Sequence, residues 1–81
     1  MKTPCDITGA ELSKALRKFG YEFGRQVGSH IMLETQLEGQ HLVVVPNRNP
    51  IKVGTLNGII GDVADHFGMT KEEVIMKLFY K

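Results

Sequence analysis

The sequence predicts an α+β domain with helices packed on one face of a three-stranded antiparallel sheet. Three observations predict it. Two amphipathic stripes at helical spacing flank a central stretch of alternating apolar and polar residues. The links inside that stretch are too short for parallel crossovers, so its strands form a meander. A third, shorter helical pattern closes the chain. At 81 residues the chain reads as one domain, 1–81, with 1–7 as a flexible N-terminus.

The first helix opens at Thr8-Gly9-Ala10-Glu11, a capping box, with Ile7 and Leu12 placed as its hydrophobic staple. Leu12, Ala15, Leu16 and Phe19 form the core stripe, and Gly20 stands where a left-handed residue ends a helix. Lys14, Arg17 and Lys18 share the opposite face, which suits either plain solvation or phosphate contact.

Residues 21–26 alternate as a half-buried strand, with Tyr21 and Phe23 read as core rather than as base-stacking groups. Gly28-Ser29 is a turn. In the second strand, 29–35, Ile31 and Leu33 share one face while His30, Met32 and Glu34 share the other. Residues 37–40 make a hairpin turn, and His41–Val45 is a β-branched strand stopped by Pro46. The 46–50 segment, Pro-Asn-Arg-Asn-Pro, is a rigid loop.

The second helix is expected to start near Val53 or Gly54. Leu56, Ile59, Ile60, Val63, Ala64 and Phe67 form its apolar stripe, and Gly68 ends it. A third helix repeats the first design, with Thr70 and Glu73 as capping box and Met69 and Val74 as staple. Val74, Leu78 and Phe79 face inward, and Met32, Met69 and Met76 read as core or staple positions. The helices leave one sheet face free.

Composition excludes several classes. Ten basic against nine acidic side chains give a net charge of +1, unlike a strongly basic nucleic-acid wrapper or an acidic disordered tail. The first 30 residues carry five basic and three acidic side chains, so an anionic partner is expected to meet that half. No apolar run approaches the roughly 20 residues a membrane helix needs, and no secretory signal is visible. The single Cys5 is read as incidental, and the lack of disulfide staples fits a cytoplasmic protein.

Common catalytic motifs are absent, and His30, His41 and His66 are not spaced as a local metal site. No metal or cofactor is expected. Asp62 and His66, at i and i+4, read as a surface pair. The segment that stands out is Arg25-Gln26-Val27-Gly28-Ser29-His30. It sets an imidazole beside turn amides and a nearby cation, a placement suited to proton transfer near neutral pH.

Residues 8 to 80 resemble the HicA-type (YcfA-like) mRNA interferase toxins of type II toxin–antitoxin systems. The resemblance rests on Thr8-Gly9-Ala10-Glu11-Leu12 with Leu16 and Phe19-Gly20-Tyr21, and on the Arg25–His30 turn. It also rests on Leu42-Val43-Val44-Val45-Pro46-Asn47 and on Ile51-Lys52-Val53-Gly54-Thr55-Leu56. It implies a double-stranded-RNA-binding-domain-like fold, α-β-β-β-α, in agreement with the element order read from the residues. It further implies a cytoplasmic endoribonuclease that cleaves mRNA with His30 as catalytic residue. A HicB-type antitoxin would neutralise it in a hetero-oligomer. Where members of the family often carry a second histidine, this chain has Ile31, and where many carry another beyond the strand-ending Val-Pro it has Arg48. The implied site therefore has a single histidine.

On that reading Arg25, Lys52 and Arg48 supply cations to the phosphate, assisted by the Gly28 and Ser29 amides and the Ser29 hydroxyl. Lys14, Arg17 and Lys18 hold the RNA backbone further away. Thr55 caps or lines the start of the second helix, where free amides favour phosphate. Two other readings use the same scaffold: a non-catalytic RNA-binding module, and a relic that binds only the antitoxin.

Overall fold

The computed structural model describes residues 6–80. Cys5 and most of the expected flexible N-terminus lie outside the described residues. The elements run α1 (Gly9–Ala15), a 3-10 turn (Leu16–Phe19), β1 (Glu22–Val27), β2 (His30–Thr35), β3 (His41–Pro46), α2 (Val53–Phe67) and α3 (Lys71–Phe79). The strands form one antiparallel sheet in the order β1-β2-β3. This is the α+β fold the sequence predicts.

Both capping boxes form. The Glu11 N–H donates to the Thr8 hydroxyl at 3.1 Å, and the Glu11 carboxylate accepts from the Thr8 N–H at 2.9 Å. Thr70 and Glu73 repeat this at α3. The last turn of the first helix tightens to 3-10 before Gly20, which ends it at φ 81°.

The core lies between the helices and one sheet face. Leu12, Leu16, Phe19, Ile31, Leu33, Val43, Val45, Leu56, Ile60, Val63, Val74 and Leu78 are all buried. Along β2 and β3 burial alternates, so Ile31, Leu33, Val43 and Val45 face inward while Met32, Leu42 and Val44 face away. Ile7 also packs against this core, and its carbonyl accepts from the Ile51 N–H at 2.9 Å. Besides the phenol of Tyr21, Thr35 carries the one buried polar side chain among the described residues. Its hydroxyl donates to the Phe19 carbonyl at 3.0 Å and accepts from the Leu37 N–H at 3.1 Å, so it is satisfied.

Three expectations need correction. Phe23 is 64% exposed rather than core. It pairs with Leu33, but β1 is an edge strand exposed along its whole length, and its register shifts at Gly24. Met76 is exposed and Met32 only half-buried, because each lies off the apolar face of its element. His66 does not pair with Asp62. Its Nε2 lies 2.9 Å from the Leu37 carbonyl and 3.0 Å from the Gly39 carbonyl. Carbonyls only accept, so Nε2 carries the proton. Its ring stacks on His41 at 4.4 Å, tying the β2–β3 hairpin to α2.

Tyr21 is buried beside this pair and shares a hydrogen bond of 2.7 Å with His41 Nδ1. Burial first, and the Asp62 carboxylate second, push its phenol up to about 12. The unfolded phenol titrates near 10. The folded state therefore holds the proton more tightly, and stability present below about pH 10 is lost as pH rises toward 12. In a Tyr80→Phe background, where Tyr21 is the only tyrosine, its phenolate absorbance is expected to appear together with loss of circular dichroism. Tyr21→Phe is expected to remove that alkaline transition, and an unchanged transition would contradict the assignment.

Candidate active site

The site is built where three chain segments meet. The first is the β1–β2 turn. Val27 and His30 pair directly, leaving Gly28 and Ser29 as a two-residue loop. Gly28 has φ 60° while Ser29 stays at negative φ, the pattern of a type II′ turn, which matches strand twist. The Gln26 side-chain amide donates to the Gly28 carbonyl at 3.1 Å and braces the turn.

The second segment is the chain leaving β3. The Asn47 N–H donates to the Ser29 carbonyl at 2.6 Å, which extends the β2–β3 ladder one pair past His30 and Pro46. Bonded and non-bonded pairs alternate in an antiparallel ladder. His30 and Pro46 are thus a non-hydrogen-bonded pair, the kind whose side chains approach most closely. His30 faces the open side of the sheet, as do Met32 and Val44. Its imidazole is exposed and makes no hydrogen bond among the described residues.

The third segment is the start of α1. The Gly9 N–H donates to the Arg48 carbonyl at 2.9 Å. A Cβ on Gly9 would collide with the Pro46 carbonyl and stand 2.8 Å from the Asn47 Cα. Only glycine lets the helix end sit this close to the loop.

These contacts place His30, Val44, Pro46, Arg48, Lys52 and Thr55 around one open cavity of about 360 Å³. Its lining has an imidazole, two cations and a hydroxyl, and no carboxylate. Lys52 occupies the N-cap position of α2, and the first intrahelical bond runs from the Leu56 N–H to the Lys52 carbonyl. The N–H groups of Val53, Gly54 and Thr55 precede it and so lack intrahelical partners. Thr55 lines the cavity but does not cap the helix, since no side chain caps α2.

The remaining expected site residues are more scattered. Arg25 is on the open face, paired with Met32, and so is a diagonal neighbour of His30 across β1 and β2. Gly28 and Ser29 form the turn, and the Ser29 carbonyl is taken by Asn47. Lys14 and Arg17 lie on the helix side of the β1 edge, beside Phe23. Lys18 leaves the expected cationic stripe, because its amine donates to the Leu78 carbonyl at 3.1 Å and ties the first helix to α3. Sequence reasoning missed Gly9, Pro46 and Asn47 as site-building residues. The short Thr8-Gly9 step was the available signal, but it read only as part of a cap. Ile31 is buried in the core on the opposite sheet face, so that position cannot supply a second group beside His30.

Among the described residues no group of three or more His, Cys, Asp or Glu side chains converges as a metal site. None of the helices is long and apolar enough to cross a membrane, again among the described residues.

A family model described as the HicA toxin of bacterial toxin–antitoxin systems matches residues 9–64. That span covers more than half of the chain and includes all three segments of the site. The chain belongs to the HicA toxin family, and membership implies an antitoxin partner. Neither a curated protein nor a solved structure matches the chain significantly.

Gly9→Ala tests the meeting of the three segments. The new methyl must displace backbone, so the variant is expected to lose about 1–3 kcal/mol of stability. Denaturant unfolding measures this, and an unchanged midpoint would show that α1 does not clamp the loop.

Proposed function

We propose that this toxin is an endoribonuclease that cleaves mRNA, with His30 as its catalytic residue and no requirement for a metal. The observation that carries the reading is the cavity that gathers His30 from β2, Arg48 from the loop after β3, and Lys52 and Thr55 from the start of α2. RNA brings its own nucleophile, the 2′-hydroxyl adjacent to the scissile phosphate. The His30 imidazole removes the proton from that hydroxyl as general base. The 2′-oxygen then bonds to phosphorus and the bond to the 5′-oxygen breaks, leaving a cyclic phosphate on one product. The 5′-oxygen leaves with the bonding electron pair and takes a proton from solvent water at the exposed site, giving a hydroxyl on the other, while the proton taken up by His30 returns to solvent.

Charge develops on the phosphoryl oxygens during this step. Arg48 and Lys52 stand where they stabilise it, together with the Thr55 hydroxyl and the free amides of the first turn of α2. Arg25 reaches the same face from β1. Arg48 can hold phosphate but cannot accept a proton, which leaves the proton transfer to His30. The site is exposed, as suits a long substrate that must lie across it.

A HicB-type antitoxin would silence the enzyme by covering His30 and the surrounding cations with an acidic surface. The uncovered open face of the sheet supports this arrangement.

The test is growth and RNA integrity after induction of the wild type and of His30→Ala, with and without the antitoxin. The wild type alone is expected to arrest growth and degrade mRNA. His30→Ala is expected to cleave RNA about 10²–10⁴-fold more slowly, the usual worth of a positioned general base. Equal RNA decay in both would overturn the role of His30. Intact RNA with the wild type would favour a non-catalytic binding module.

A further inference from the structure

We infer that Phe23, Lys14 and Arg17 form a second RNA subsite, one that holds an unpaired nucleotide of the substrate away from the cleavage point. This rests on the endoribonuclease reading for its ligand class and adds a place and a mode of binding.

Phe23 is the most exposed large apolar side chain among the described residues, at 64%. Scattered exposed apolar residues are ordinary. Phe23 differs in its surroundings. Its ring makes no aromatic contact within the described residues, while Phe67 packs against both Phe19 and Tyr21. It borders a cavity of about 280 Å³ with Ser13, Lys14, Arg17 and Leu33. Leu33 is buried and gives that cavity an apolar floor. Lys14 and Arg17 stand at i and i+3, so both cations lie on one side of the first helix. An unpartnered aromatic face beside two exposed cations is the arrangement by which proteins hold single-stranded nucleic acid. The base stacks on the ring and its phosphates meet the cations.

The other side of Phe23 argues for direction. There Glu22 and Glu34 line a neighbouring cavity and would repel phosphate. The backbone of a bound strand is therefore steered over Lys14 and Arg17. Phe23 pairs with Leu33 on the helix side of the sheet, whereas His30 faces the open side, three residues or about 10 Å away along β2, so a strand that joins the two sites passes around the exposed β1 edge. The subsite therefore takes a nucleotide separate from the scissile one, and its contribution is to binding rather than to proton transfer. Stacking tolerates any base, so the site favours unpaired RNA without fixing its sequence.

The chain has no tryptophan, so Phe23→Trp installs a single fluorescent reporter. In a His30→Ala background, titration with a short single-stranded RNA of mixed sequence is expected to quench that tryptophan. Phe23→Ala in the same background is expected to bind the RNA on the order of tenfold more weakly with an unchanged melting temperature. Lys14→Ala with Arg17→Ala is expected to flatten the salt dependence of binding. RNA binding without quenching, or undiminished binding by Phe23→Ala, would overturn the subsite. The two proposals fail separately. Quenching with no cleavage by the wild type overturns the nuclease reading alone, and cleavage without quenching overturns the subsite alone.

Discussion

The structure depends most on the clamping of one short loop, residues 46–51. Three backbone hydrogen bonds hold it: Asn47 to Ser29, Gly9 to Arg48 and Ile51 to Ile7. They join the β1–β2 turn, the start of α1 and the approach to α2. Without them His30 would stand at the end of a hairpin, with Arg48 and Lys52 on a free connection. With them the imidazole and both cations face one cavity. Backbone groups do this positioning, so the side chains of the site stay free for a ligand.

That economy suits a chain of 81 residues. A small domain has little interior in which to bury and tune a catalytic group. This one keeps its interior apolar, with Thr35 fully hydrogen-bonded, and puts the imidazole at the surface. The proposed chemistry fits such a site, because the substrate supplies the nucleophile and the protein adds a base and positive charge. The near-neutral net charge is consistent with this. Arg48 and Lys52 line the cavity with no carboxylate among its walls, while carboxylates such as Glu22 and Glu34 lie toward the other end of the sheet.

Much of the fold was legible because local signals and burial agreed. The two Thr–Glu capping boxes, the left-handed glycines at 20 and 68, and the alternation in β2 and β3 each specify their element locally. The failures came where tertiary context decides. Phe23 alternates correctly with Tyr21, yet edge position and the irregularity at Gly24 leave it uncovered. His66 has a carboxylate one turn away but bonds instead to carbonyls of a hairpin that only the fold brings near. At the site, His30, Arg48, Lys52 and Thr55 were legible as residues. Their meeting was not, since it depends on Gly9, whose close approach to the Pro46–Asn47 backbone has no local sequence pattern.

On the proposed mechanism, His30 and its neighbouring cations act on a nucleophile carried by the RNA. The most direct measurement is the chemistry of the ends produced when purified protein cuts a defined RNA. That mechanism is expected to leave a 2′,3′-cyclic phosphate and a 5′-hydroxyl, with cutting blocked by a 2′-deoxy substitution at the scissile nucleotide. A 3′-hydroxyl with a 5′-phosphate, or cutting that survives the 2′-deoxy substitution, would contradict it.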